Sequence, residues 1–457
     1  MVIKGRGGAA EQAWVALGGV PEVARRVRYR GAGGFGDGPL PVRELARAAV
    51  GVCSLAAAEL DAVRAGRDEV PEVVVDEGAV ATAFVSERHL RVDGRAPVVF
   101  APLSGFWRAA DGWVRTHANY PHHRAALVRV LGLTDGSPDG SPEGSSDELA
   151  AAVAGRKAAE VQEAVYAGGG LAVAVAGRYG APQPLVERVS RMWGDRPRAL
   201  PQAPEGLPMA GLRVLDLTRV IAGPVATRTL GLLGADVLRI DSPRLPEADD
   251  AHADTGFGKR SARLDLADPA DRAVFDRLLD EADVVVTGYR PGTLDRYGLG
   301  AEELLDRRPG LVVAQLCAWG WSGEWAGRRG FDSLVQAGYG ISAAYAAPDG
   351  TPGVLPAQAL DHGTGYLVAA GVMRALSAGG GRSLRFSLAG TASWLVRDLV
   401  REDTPPAGEE AHAPDPWLRE ADSAYGRLRY AAPPVAFGPG DWSRTPSRWG
   451  TDAPVWL

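Results

Sequence analysis

Hydrophobic and polar positions follow a regular order in the second half of the chain. Residues 213–217 form a short apolar run, a turn at 222–224 opens a helix-like stretch through residue 233, and 235–240 is apolar again. A strand, helix, strand unit of this kind predicts two parallel strands joined by a right-handed crossover.

The same alternation continues along the chain. The pattern predicts a helix over 269–281 and strands over 282–287 and 311–316. Repeated alternation of strands and helices is typical of a doubly wound sheet. We therefore predict an α/β fold, with a doubly wound, Rossmann-like parallel sheet domain and a smaller α+β domain.

The first half repeats part of this pattern. Aligning Gly51 with Gly371 places Pro41 where the second copy has Asp361, so a shared origin would leave the acid in the second copy only. A chance match of two amphipathic helix and strand units is the alternative. The matching segments are 43–63, 72–75 and 78–88 in the first half and 364–376, 383–386 and 389–397 in the second.

A proline-rich segment separates the two halves. Three prolines lie between residues 200 and 208, and proline disfavours both helix and ladder pairing. We predict an N-terminal region over 1–200, a linker over 201–208, and a sheet domain with a Pro- and Trp-rich tail over 209–457. Clusters of turn-forming residues further predict loops at 136–146 and 404–416.

Composition narrows the class of protein. With 457 residues, 46% of them hydrophobic, the chain can bury a sizeable core. A net charge of -6 argues against nucleic acid or an anionic membrane as the main partner. No stretch reaches the roughly 18 apolar residues of a membrane span, so we expect a cytoplasmic protein. Cys53 and Cys317 lack metal-ligand spacing, which argues against a zinc site or a disulfide framework.

Turn glycines and basic residues indicate an anionic ligand. The turn at 219–224 follows a strand and opens a helix, so its N–H groups can face a phosphate. It lacks the three-glycine spacing of the dinucleotide fingerprint, which argues against NAD. Lys259 lies in a turn from which its ammonium could reach a phosphate, although a solvated surface lysine is the alternative. Basic residues nearby, which could instead form ion pairs, are Arg228, Arg239, Arg260, Arg263, Arg290 and Arg296.

Taken in order, these segments resemble the family III CoA-transferases, which share their fold with α-methylacyl-CoA racemase. The N-terminal half, through residues 102–124, resembles the small domain of the same family, so the two halves stand in rearranged order. The matching pieces are 214–224, 233–240, 258–261 with 264–266, 289–292 with 298–299, Phe331, Asp332, Gln336 and Asp361.

The resemblance implies the site. Asp361 matches the catalytic aspartate of the family, and the ligand is coenzyme A as substrate and product, with no metal. Members form interlocked homodimers, so a homodimer is expected here. With the turn residues Lys259 and Arg260, the residues expected at the coenzyme are Arg219, Val220, Ile221, Ala222, Leu264, Tyr289, Arg296, Tyr297 and Arg329.

The implied reaction moves CoA from an acyl-CoA to a small carboxylic acid through an aspartyl anhydride and an aspartyl-CoA thioester. At a reference pKa of about 3.9 the carboxylate is ionised at neutral pH and needs no helper base. Gly363 and Gly365 could bring backbone N–H groups to an oxyanion, with a tight turn as the alternative. Asp361 could instead be a structural helix cap.

Two other functions remain open. In the racemase branch a His-Asp pair supplies a base, but the matching pair here is Phe331-Asp332, and phenylalanine cannot abstract a proton. His362 is a poor substitute, because adjacent residues do not face one another. A catalytically silent, acyl-CoA-binding partner subunit is the other possibility. The clustered His117, His122 and His123 suit a structural role or the lining of the site better than a metal.

Overall fold

The computed structural model describes residues 7–31, 34–35, 38–98, 100–134, 145–190, 200–402 and 412–457, and the loops predicted at 136–146 and 404–416 lie largely outside them. Short 3-10 segments occur at Pro21–Arg26, Asp295–Tyr297 and Asp415–Trp417. The α-helices are α1 Ala9–Ala16, α2 Val42–Arg64, α3 Glu77–Ala83, α4 Ser86–His89, α5 Pro121–Leu131, α6 Ser146–Ala154, α7 Ala158–Ala167, α8 Ala222–Leu232, α9 Asp249–Thr255, α10 Pro269–Glu281, α11 Ala301–Arg307, α12 Asp332–Gly338, α13 Ile341–Ala344, α14 Ala359–Ser377 and α15 Leu388–Arg397.

In the part of the chain that the structure describes, the strands form four sheets. The strands are β1 Val27–Arg30, β2 Val73–Asp76, β3 Arg91–Val92, β4 Phe106–Ala109, β5 Gly112–Thr116, β6 Ala172–Ala174, β7 Glu187–Ser190, β8 Arg213–Leu217, β9 Asp236–Asp241, β10 Lys259–Arg263, β11 Val284–Thr287, β12 Val312–Cys317, β13 Arg382–Ser387, β14 Leu418–Ser423 and β15 Gly426–Ala431.

The largest sheet has seven strands in the order β10-β9-β8-β11-β12-β13-β7. Its neighbours run parallel except for the edge pair β13–β7, which is antiparallel. In the centre, Val285 pairs with Leu215 on one side and Val313 on the other. The predicted α/β class with a mostly parallel sheet is therefore confirmed.

Both faces of this sheet are covered, because successive residues of a strand point to opposite sides. Val214 packs with α8 and α14 in one buried cluster. Its neighbour Leu215 packs with Phe275 of α10 and Leu304 of α11 in another. The central strands read as nearly continuous apolar runs for this reason.

The N-terminal region shares a core with the sheet domain. Helix α2 packs against α14, and residues of both helices belong to one buried cluster. The close approach depends on Gly363, where a Cβ atom would lie 2.7 Å from Cδ2 of Leu45. Residues 201–208 contain no helix or strand, as expected of a linker. The boundary predicted there stays a prediction.

A smaller unit follows α4. Strands β4, β5 and β6 form an antiparallel sheet whose apolar side packs with α5, α6 and α7. Strands β14, β15 and β3 form another antiparallel sheet. The C-terminal tail packs over the large sheet domain, where the indole N–H of Trp442 donates to the carbonyl of Arg228 at 2.9 Å.

Among the described residues, no helix combines the length and the apolar character needed to cross a bilayer.

Candidate active site

A cavity of about 550 Å³ lies at the carboxyl ends of the parallel strands. Leu217 ends β8, Gly288 follows β11 and Cys317 ends β12, and all three line it. Strand β8 has β9 as its neighbour on one side and β11 on the other. The chain therefore reverses its winding direction between β8 and β11. Ligands of doubly wound sheets bind at such a point.

Most of the predicted site residues are brought together around this cavity, although they come from five separate stretches of the chain. Their contacts with coenzyme A remain predictions. The predicted residues that line the cavity are Arg219, Val220, Ala222, Leu264, Tyr289, Arg296, Tyr297, Arg329 and Asp361.

Lys259 and Arg260 do not line the cavity. They belong to β10, not to a turn, and both are buried. The Lys259 ammonium lies 3.2 Å from Oδ2 of Asp216 and 2.9 Å from Oγ1 of Thr227. Arg260 donates to Asp236 at 2.7 Å. The prediction that these cations meet a phosphate fails because internal carboxylates hold them, and neither is a solvated surface residue.

Ile221 also lies outside the cavity lining. It is the residue before α8, and its side chain packs against the large buried cluster. The preceding residue, Val220, does line the cavity and has φ = 73°, a left-handed value that is unusual for a β-branched residue. Its N–H donates to Oε2 of Glu247 at 3.2 Å. Such local strain is often found at binding sites.

Hydrogen bonds to Glu247 connect the N-terminal half with the wall of the cavity. Its Oε1 accepts a hydrogen bond of 2.7 Å from the Tyr120 hydroxyl, and its Oε2 accepts one of 3.2 Å from Arg239. Tyr120 itself lines the cavity, and the guanidinium of Arg219 lies 5.2 Å from the centre of its ring. Sequence reasoning missed Glu247, because its partners Tyr120 and Val220 are distant from it along the chain.

Asp361 lies in the first turn of α14 and is 6% exposed, with that exposure facing the cavity. Its N–H, which has no partner within the helix, donates to Oδ2 of Asp332 at 2.9 Å. Asp361 is therefore capped and does not act as the cap itself. Gly363 and Gly365 lie inside the same helix, where a Cβ atom at 365 would approach the carbonyl of Ala222 to 2.6 Å. These glycines allow close packing, and their N–H groups do not form the expected oxyanion site.

The environment of Asp361 disfavours its charge. Burial raises the pKa of its carboxyl well above the ordinary value, and the carboxylates of Asp332 and Glu87 raise it further. Burial also raises the pKa of Asp332, to about 6. The reference pKa therefore does not describe Asp361 in the free site, where burial and two neighbouring carboxylates favour the protonated form.

Of the histidines considered in the sequence, His122 and His123 line the cavity, and His117 and His362 do not. His362 does not line the cavity: its Nε2 lies 3.3 Å from Glu87, and its ring stacks on Phe84 at 5.4 Å. From the N-terminal half, His122 and His123 line the cavity. His117 stacks on Phe331 with ring centres 3.9 Å apart. Within the described ranges, no group of three or more His, Cys, Asp or Glu residues has the arrangement of a metal site.

The sequence match extends from the first strand of the sheet domain past the nucleophile candidate. Residues 209–419 match the pattern of CoA-transferase family III. Over this segment the chain is similar to the members of that family. The segment holds Asp361 and all of the predicted coenzyme residues, and it makes up just under half of the chain.

The chain is similar to proteins that carry CoA-transferase names. An acetyl-coenzyme A transferase of Hypoxylon pulicicidum is 36% identical over 224 residues, which are 46% of this chain and 37% of that protein. The beta subunit of a succinyl-CoA–L-malate CoA-transferase of Chloroflexus aurantiacus is 36% identical over 37% of this chain and 45% of its own length. The crystal structure of protein Rv3272 of Mycobacterium tuberculosis is 33% identical, covers 41% of this chain and 55% of that chain, and has a TM-score of 0.39. The chain spans about half the length or less of these relatives.

Proposed function

We propose that this chain is a CoA-transferase that moves CoA from an acyl-CoA thioester to a carboxylic acid, with Asp361 as the nucleophile. The observation that carries the proposal is the position of Asp361, which is nearly buried yet lines a cavity built mostly by the segment that matches family III. A nucleophilic carboxylate needs this combination of restricted water and access to one substrate.

The chemistry needs only one protein nucleophile. A carboxylate oxygen of Asp361 attacks the thioester carbonyl, the C–S bond breaks, and CoA leaves as the thiolate from an aspartyl acyl anhydride. The thiolate attacks the aspartyl carbonyl, releases the donor acid and forms an aspartyl-CoA thioester. The acceptor carboxylate then attacks the carbonyl of the aspartyl-CoA thioester and expels the CoA thiolate, which leaves an anhydride between Asp361 and the acceptor. The thiolate attacks the acceptor carbonyl of this anhydride, which forms the new acyl-CoA and frees the carboxylate of Asp361.

Cationic and aromatic residues of the cavity suit the coenzyme. Arg219, Arg296 and Arg329 line it and can pair with phosphate oxygens. Tyr289 and Leu264 offer an aromatic and an apolar surface for the adenine base. Bound coenzyme would supply the thiol that carries the acyl group, while these side chains orient it.

The raised pKa of Asp361 sets a condition on the reaction, since only the deprotonated carboxyl can attack. Its place in the first turn of α14 favours the anion, because the amino end of a helix is positive. Loss of the proton gives a desolvated carboxylate, which is a stronger nucleophile than a hydrated one. We infer that activity rises as pH increases through this pKa.

The site is proposed to be complete within one chain. Tyr120, His122 and His123 come from the N-terminal half and line the same cavity as Asp361. The homodimer that the resemblance implies stays a prediction. Racemisation is not favoured, since Phe331 replaces the histidine base, and burial lowers the pKa of His123 to about 3, which makes it a weak base.

The variant Asp361→Asn tests the proposal. We expect loss of transfer with retained binding of CoA, and loss of the hydroxylamine-sensitive adduct that wild type forms with acyl-CoA. The matched control is Asp349→Asn, at an exposed turn outside the cavity. Full activity of Asp361→Asn would refute the assignment, and exchange of the α-proton with D₂O in wild type would favour the racemase alternative.

A further inference from the structure

His123 is a buried histidine whose ring nitrogens bond to no residue that the structure describes. It is 4% exposed, and both Nδ1 and Nε2 lack a hydrogen-bond partner. Buried polar groups are nearly always paired, and an unpaired one costs free energy. Because His123 lines the cavity that contains Asp361, a bound ligand can supply the missing partner.

Packing holds the ring of His123 without using its nitrogens. The ring meets Tyr120 edge to face at 5.8 Å and Phe331 at 6.1 Å. Tyr120 is fixed in turn by its hydrogen bond to Glu247. A polar group held in place before the ligand arrives loses little entropy on binding.

The groups facing His123 keep it neutral. Burial, together with the neighbouring His122, His117, Arg329 and Arg219, lowers its pKa to about 3. A neutral imidazole has one N–H donor and one acceptor nitrogen. A hydroxyl group can use both, whereas a carboxylate only accepts and an alkyl chain does neither.

We propose that His123 is a specificity-determining residue that hydrogen-bonds a hydroxyl group on the acid substrate, so that the enzyme prefers hydroxy acids over unsubstituted acids of the same length. This rests on the proposed function. Phe331 and Leu388 line the same cavity and are apolar. The alkyl chain of an unsubstituted acid could pack against them, but it would leave the ring nitrogens of His123 without a hydrogen-bond partner. A site with a buried polar group rejects ligands that lack the matching one.

Matched pairs of acceptor acids test this. With acetyl-CoA as donor, the pairs are lactate with propionate and 3-hydroxybutyrate with butyrate. We expect wild type to favour at least one hydroxy acid in kcat/KM by about ten-fold or more. In His123→Phe that preference should disappear, so that the ratio of kcat/KM for the two acids of a pair approaches one.

His123→Gln should restore part of the preference, because the amide keeps a donor and an acceptor. The control is His89→Phe, since His89 lies outside the cavity. An equal loss for both acids of a pair, or an unchanged ratio in His123→Phe, would overturn the proposal, since a merely structural ring or a pantetheine contact would affect both acids alike.

A binding measurement separates this proposal from the proposed function. In ¹⁵N-histidine-labelled wild type, the ring-nitrogen NMR signals of His123 are those that are absent from the spectrum of His123→Phe. With CoA present, lactate should shift these signals, and propionate should not. If wild type transfers CoA to no acid, the proposed function fails, and the lactate shift still decides the role of His123. No difference between lactate and propionate would overturn that role.

Discussion

The N–H of Asp361 donates a hydrogen bond of 2.9 Å to Oδ2 of Asp332, so one buried carboxyl group caps the helix that carries the other. Asp332 also accepts from the side-chain amide of Gln336, whose Oε1 accepts from the N–H of Leu355 at 2.8 Å. The chain thus fixes the start of α14 through a carboxyl whose charge opposes ionisation of Asp361.

Asp332→Asn should change the pH profile of transfer. The amide keeps an acceptor for the Asp361 N–H but removes the neighbouring charge, so the pKa of Asp361 falls. We expect the acid limb of kcat/KM to move to lower pH and kcat at neutral pH to drop by about ten-fold, as α14 loses part of its fixed geometry. Stopped assays across pH 4–9 measure both. An acid limb that stays in place would mean that Asp332 does not influence the nucleophile.

Asp361→Asn should stabilise the fold at neutral and higher pH. The pKa of Asp361 is raised in the folded state, so wild type loses stability as pH rises from about 4 through that folded value. Asparagine does not ionise and avoids the loss, so the variant becomes more stable than wild type as pH increases.

Thermal unfolding of both proteins between pH 3 and 9 measures this difference. The two curves should come closest near pH 3, where Asp361 of wild type is protonated in both the folded and the unfolded state, and should separate as pH increases. A gap that narrows with increasing pH would contradict the raised pKa.

The parallel sheet could be predicted because its signals are local. Strand β8 and helix α10 match their predicted bounds, since apolar periodicity and the turn residues define them. The pairing of Asp332 with Asp361 joins residues 29 positions apart, so no local pattern indicates it. Lys259 was mistaken for a ligand residue for the same reason: its partner Asp216 lies 43 positions away in a neighbouring part of the sheet.

Lys259→Met should destabilise the protein and should not act through coenzyme binding. Asp216 is fully buried, and removal of the ammonium leaves its charge without the cationic partner, although Thr218 and Thr227 still donate to it. Breaking a buried pair in this way costs about 3 kcal/mol or more.

Urea unfolding measures the cost, with Lys157→Met as the matched control because Lys157 is exposed. The KM for acyl-CoA of the folded variant should stay close to wild type. A variant as stable as wild type but with a strongly raised KM would restore the phosphate role of Lys259.

Arg329→Ala should weaken binding of the nucleotide part of acyl-CoA without harming the fold. The backbone carbonyl of Arg329 accepts hydrogen bonds from the Tyr166 hydroxyl at 2.8 Å and the Trp319 indole at 3.0 Å, so the loop keeps its position when the side chain is shortened. The guanidinium lines the cavity and can pair with a phosphate. We expect KM for acetyl-CoA to rise about ten-fold, since a charge-assisted hydrogen bond contributes roughly 1.5–3 kcal/mol.

Acetyl-pantetheine, which lacks the nucleotide, should react equally well with both proteins. Arg427→Ala is the control, because Arg427 is exposed and pairs with Glu420 away from the cavity. An equal loss with both substrates would instead place Arg329 near the acyl group or the pantetheine arm, because these parts are common to both substrates.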